Sequence, residues 1–268
     1  MKKKKICKFI GLAVLACALL CPVDARSQNW RGDFNYDGEV NLSDLTLLIN
    51  YLLYEKWDND AMGMGVRDTV MVNGVPLVMI RVDGGSYTNG NGDTVTVGDF
   101  SISRTEVTQE LWTAVMGSNP SNFSSKPQRP VECVSWDDCQ EFIAVLNGLT
   151  GLTFRIPWSV EWEYAARGGR YTHGYIYSGS NDPDLVAWYG QPTIPTQEVA
   201  LLTCNELGLF DMSGNVMEWC QDTDPTAPRT RMLAGGCFYN DVSNCRVTWR
   251  QWIAQTYSSR LVGLRLAL

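Results

Sequence analysis

The sequence predicts an α+β fold with little regular secondary structure for its size, preceded by a small calcium-binding loop and helix. Three observations carry this. Helical spacing with end signals survives in only three later stretches, at about 108–116, 135–148 and 159–167. From residue 168 onward the chain is dense in Gly, Asn, Asp and aromatics, the composition of turns and short strands. An oxygen-rich run just after the N-terminal segment alternates in the way a hard cation requires.

Five lysines stand ahead of an apolar run from Phe9 to Leu20, and Val23-Asp24-Ala25 offers small residues for a signal peptidase. Residues 1–25 are therefore expected to be an export signal, placing the protein in the periplasm, at the cell surface or in the medium; acylation at Cys17 is the alternative. No stretch reaches the roughly 20 apolar residues of a membrane span. Removing the five lysines and Asp24 takes the formal charge from -7 to -11 and leaves Lys56 and Lys126 as the only lysines. No basic stripe remains to neutralise phosphates, which argues against a nucleic-acid partner.

Residues 30–54 carry the cation pattern. Asp33, Asn35 and Asp37 alternate, Gly38 permits a sharp turn, Glu39 can offer a carbonyl, Asn41 follows, and Asp44 closes a twelve-position loop. Leu45, Leu48, Ile49 and Leu52 then share one helical face. The segment resembles a single dockerin repeat, which implies calcium and a cohesin-like partner. A polar turn capping an amphipathic helix is the other reading of the same residues. Residues 55–76 read as a linker or entering edge, and residues 77–268 as the main domain.

Within that domain the run RVDGGSYTNGNGDTVTVGDF reads as hairpin turns, since no lysine-bearing strand-loop-helix follows its glycines. Ser135 with Asp138 forms a capping box for the second helix, which stacks Cys139, Phe142 and Leu146 on one face. The third helix ends at two glycines suited to a left-handed cap. Tryptophans beside acids in SWDD, EWEY and MEWC are expected in packed cores. His173 is the only histidine, which excludes multi-histidine metal sites, and it sits in a loop. Six cysteines follow the signal, an even set that in an oxidising compartment predicts disulfides, with no zinc-type spacing.

The motifs MIRVDGGSY, EVTQELW, RPVECVSWDDCQEF, FRIPWSVEWEYAARGG, GLFDMSGNVMEW, RMLAGGCF, CRVTWR and terminal GLRL occur in this order. Together they resemble the formylglycine-generating enzyme family, also called sulfatase-modifying factors. The resemblance implies a fold related to C-type lectins. Some members are copper-dependent oxidases that convert a sulfatase cysteine to formylglycine; others are ligand-binding or assembly proteins without that activity. In the oxidases two cysteines separated by four residues hold Cu(I), a soft ion suited to paired sulfur. Here the second falls on Cys245, the first on Asn240, and the family's GGS serine on Cys237. An exported accessory or binding module for a protein or glycan ligand is the expected function. The alternative is an oxidase with Cys245 as nucleophile or copper ligand and Cys237 as its mate. The resemblance also implies a calcium site with Asn215, the Val216 carbonyl and Glu218; the competing reading is a tight turn with Glu218 meeting an arginine. A second family site has Ala187 where asparagine is usual.

Overall fold

The computed structural model describes residues 67–268. The export signal, Cys17, the calcium-type loop from Asp33 to Asp44 and residues 55–66 lie outside the described residues. Strands β1 (Arg67–Val72) and β2 (Val75–Val82) pair antiparallel around Asn73-Gly74, both with positive φ (48° and 89°). Asn-Gly adopts this turn at little cost because both residues tolerate the left-handed region. Residues 67–76, within the stretch expected as linker or entering edge, thus form the edge strand, its turn and the start of β2. Strand β5 (Phe100–Ser103) completes a sheet of order β1-β2-β5. The chain's last residues close it: Ser101 N–H donates to the Leu268 carbonyl and Leu268 N–H returns the bond, both at 2.9 Å.

The Gly-Asn run forms a hairpin of β3 (Gly85–Thr88) and β4 (Thr94–Val97), with Asn89 Oδ1 accepting from the N–H groups of Asn91 and Asp93. Three helices follow: α1 (Gln109–Met116), α2 (Trp136–Thr150) and α3 (Ser159–Ala166). Helix α2 carries the expected capping box and runs past Gly148 to a left-handed Gly151. Glycine within the last turn is tolerated because tertiary packing of Phe142 and Leu146 holds the helix there. Ser135→Ala is expected to lower unfolding free energy by about 1 kcal/mol; urea denaturation reads it, and no change would mean Asp138 alone satisfies the helix start.

Beyond residue 168 the chain has longer strands than its composition suggests. Strands β6 (Ala187–Trp188) and β7 (Ser213–Gly214) are short, but β8 (Met217–Asp224) and β9 (Ala227–Ala234) have eight residues each. With β10 (Arg250–Ala254) and β11 (Val262–Gly263) they form a sheet of order β10-β9-β8-β11. A buried Glu in β8 obscured the strand pattern in the sequence.

The core divides into two main clusters. One stacks Trp112 on Phe142, centroids 4.6 Å apart, with Leu146, Phe154 and Trp219; the other gathers Ile80, Ile102, Trp162 and Leu209. Trp162 and Trp219 are fully buried and donate to Glu218 and the Val134 carbonyl, so both indole N–H groups are satisfied. The disulfides expected from the cysteine count are not present among the described residues. Cys133, Cys139, Cys220, Cys237 and Cys245 are thiols. Cys139 and Cys220 serve as small apolar side chains in separate clusters, and burial pushes both thiols well above the ordinary range. Among the described residues no helix is long and apolar enough to cross a membrane.

Candidate functional site

The loop leaving β9 turns on Gly235 and Gly236, both left-handed at φ 87° and 69°. Side chains are excluded by space as well as by φ: a methyl on Gly236 would lie 2.6 Å from the Asn244 carbonyl oxygen. The loop is stitched to β7 and its neighbours. Gly214 N–H donates to the Gly235 carbonyl, Phe238 N–H to Asn215, and Gly190 N–H to Asn240. A short 3-10 turn, Val242–Cys245, then returns the chain to the same place.

Cys237 and Cys245 are both fully buried. Cys237 Sγ lies 3.1 Å from Asn240 Oδ1, so the Asn240 carboxamide oxygen accepts from the thiol. Burial pushes Cys237 up to about 11 and Cys245 up to about 12, the latter helped by the neighbouring Cys237 sulfur. Both are thiols at neutral pH. The donor set does not fit the family's copper centre: a neutral carboxamide oxygen is a poor Cu(I) ligand, and it already accepts the Cys237 proton.

A rim surrounds this loop. Tyr239 is 48% exposed, Phe238 meets Phe123 edge-on at 5.9 Å, and the Arg260 guanidinium lies over Phe123 at 5.8 Å. Next to them Cys133 sits in the left-handed region at φ 61°, its S–H donating to Glu132 Oε2 at 3.0 Å. Burial and this hydrogen bond raise the Cys133 thiol to about 11. Glu132 is wholly buried and its other oxygen accepts from Phe123 N–H at 2.7 Å. Sequence reasoning missed Phe123, Glu132, Cys133 and Arg260. No spacing rule links residues from different loops, and the left-handed cysteine leaves no sequence mark.

Beneath the loop lies a buried acid cluster. Arg265, with no exposed surface, donates to both Glu218 oxygens and to the Ser103 and Phe210 carbonyls. Glu106 accepts from Asn215 Nδ2 at 2.7 Å and Val216 N–H at 3.0 Å. Asp211 accepts from Ala200 N–H, while its second oxygen is buried without a hydrogen-bond partner. Of the two readings of Asn215, Val216 and Glu218, the geometry described is a tight turn with Glu218 meeting an arginine. Glu218 is filled by Arg265 and Trp162 Nε1, and Asn215 Oδ1 accepts Gln197 N–H. Asn215 Nδ2 and Val216 N–H donate to Glu106, so the side-chain and N–H groups of the segment have protein partners. Desolvation raises Glu106 well above the usual carboxylate range, aided by Asp211 and Glu218, and lifts Asp211 to about 6. His173 is where the sequence placed it, in an exposed loop, 2.9 Å from Glu206.

Comparison with known proteins places this geometry. The family profile of the sulfatase-modifying factor enzyme 1-like domain matches residues 70–268. The chain belongs to the sulfatase-modifying factor family. The family fold expected from the ordered motifs is the observed one. A dockerin type I profile matches residues 31–68. A Paenibacillus barcinonensis protein named chaperone protein LppX is 32% identical, over 64% of this chain and 82% of its own. The Streptomyces coelicolor formylglycine-generating enzyme is 31% identical, but the match spans 55% of each chain. Mouse inactive C-alpha-formylglycine-generating enzyme 2 is 29% identical over 60% of this chain and 56% of its own. Among solved structures, Treponema denticola variable protein 1 superimposes with TM-score 0.71 at 28% identity, covering 76% of this chain and 99% of that one. Sulfatase-modifying factor domains with and without the oxidase name thus share this scaffold.

Proposed function

We propose that this sulfatase-modifying factor domain is an exported accessory or binding module for a protein or glycan ligand, not an oxidase. Asn240 carries the reading. At the position of the first copper cysteine it supplies a carboxamide whose oxygen accepts from Cys237, so the family's paired thiolates are missing in that register. Relatives named a chaperone and an inactive enzyme show that similar chains bear names other than the oxidase. The test incubates the protein with copper, oxygen and a sulfatase-type peptide, then seeks the aldehyde by mass spectrometry. No conversion is expected at stoichiometric protein; turnover would overturn the reading. Asn240→Cys, which restores two cysteines separated by four residues, is expected to bind Cu(I) at least about tenfold more tightly.

The alternative oxidase, with Cys245 as nucleophile or ligand and Cys237 as its mate, has one observation in its favour: both buried thiols belong to one loop. The same peptide assay decides between the two. The dockerin-type segment is proposed to bind calcium through Asp33, Asn35, Asp37, the Glu39 carbonyl, Asn41 and Asp44, and to offer a face to a cohesin-like partner. Calorimetry of the full chain is expected to show one calcium-binding event, abolished in Asp37→Ala; calcium uptake unchanged in that variant would remove the loop from consideration.

A further inference from the structure

We propose that Arg129, with Arg260 beside it, forms an anion subsite at the rim, and that the ligand received there is a uronic-acid-bearing glycan. The inference rests on the binding reading above and names the ligand class. Arg129 is only 9% exposed, yet no ion pair of the described residues includes it or Arg260. Its guanidinium hydrogen-bonds through Nη1 alone, at 3.1 Å to Ser125 Oγ and 3.5 Å to the Phe123 carbonyl. Among the described residues the buried Nε has no partner and Nη2 makes no hydrogen bond.

A buried guanidinium without a counter-charge is costly. Elsewhere the domain closes the same fork: Nε and Nη2 of Arg265 hold Glu218, and those of Arg167 hold Glu163. In Arg129 this pair of parallel N–H groups is the geometry that a carboxylate accepts with both oxygens.

The Phe123 loop gathers the other parts. The exposed Arg260 lies over the Phe123 ring at 5.8 Å, and Phe238 meets that ring edge-on at 5.9 Å. Tyr239, next in the chain, is 48% exposed. Glu132 does not neutralise the arginines, since its oxygens accept from Phe123 N–H and the Cys133 thiol. Two cations and an exposed aromatic ring thus adjoin one loop of a chain whose formal charge is -7. A uronic acid fits both features. Its carboxylate is fixed on a saturated ring, so the group that fills the fork brings an apolar C–H face to the tyrosine. An acidic peptide side chain carries its carboxylate on a flexible arm, which must be immobilised and leaves the aromatic face bare.

Methyl glucuronide is the probe. It is titrated into the isotope-labelled full chain, with NMR read at the Arg129 Nε–H signal and at the Tyr239 ring. Both signals are expected to move together, the first downfield as the carboxylate accepts. Methyl glucoside, which lacks the carboxylate, should leave Arg129 unmoved. Arg260→Gln, a change at an exposed residue, is expected to weaken the glucuronide at least about fivefold. Arg81→Gln removes an arginine that pairs with Asp83 and Asp99, and should leave binding unchanged. An Arg129 signal that ignores the glucuronide, or answers the glucoside equally, overturns the subsite. Equal affinity for N-acetylglutamate amide overturns the glycan assignment. Neither result bears on the peptide oxidation assay, so the accessory reading would stand; aldehyde formation there would remove that reading whatever Arg129 binds.

Discussion

Arg265→Met is expected to destabilise the domain by about 3–5 kcal/mol, the cost of leaving a buried carboxylate without its counter-charge. Arg265 has no exposed surface, and its guanidinium bridges Glu218 in β8, the Ser103 carbonyl at the end of β5, and the Phe210 carbonyl. Methionine fills much of the volume but satisfies none of these acceptors. Glu218 would keep only its 2.6 Å bond from Trp162 Nε1 while facing Glu106 and Asp211. Guanidinium unfolding measures the loss. Adding Glu218→Gln should recover part of it, because the amide removes the stranded charge. A single-variant cost below about 1 kcal/mol would show that water or a cation replaces the guanidinium readily, contrary to a sealed cluster.

The second large effect is a dependence on pH in an uncommon direction. Most native carboxylates are held low by partners, and their stability contribution fades in acid. Glu106 and Asp211 are held high, chiefly by desolvation. Folding therefore takes up protons. For Asp211, raised from 3.8 to about 6, stability is greatest below the unfolded value and is lost as pH rises through the folded one. The domain should be more stable at pH 5 than at pH 7.5, by about 1.4 kcal/mol from Asp211 alone, on the scale of about 1.36 kcal/mol per pH unit. Glu106 acts in the same sense. Asp99 and Asp224, lowered by hydrogen bonds from Gly84 N–H and from Thr226 respectively, oppose it only in stronger acid, as pH falls through their folded values. Thermal melts in chelator across this range read the slope, and Asp211→Asn should flatten it. A Tm that climbs steadily from pH 5 to 7.5 would contradict the raised values.

Much of the local structure was legible because its causes are local. Ser135 and Asp138 are three residues apart and cap α2. The Asn89 to Asp93 turn is made by the side chain of its first residue. The spacing of Asn240 and Cys245 on which the proposed function rests was equally visible, since it is a matter of counting. The cysteine count left the pairing open because evenness says nothing about separation: Cys139 and Cys220 serve different packing clusters.

By itself, the sequence determined the family and the helix starts, properties of residue order and near-neighbour chemistry. Only the tertiary structure decided what Glu218 does. Its partner Arg265 is 47 positions away, and the Glu106 that holds Asn215 is 109 positions away. Spacing along a chain cannot say which distant group faces a carboxylate. Once water is excluded, the charge must be paired or protonated, and the fold supplied an arginine to one acid and raised proton affinity to the other two.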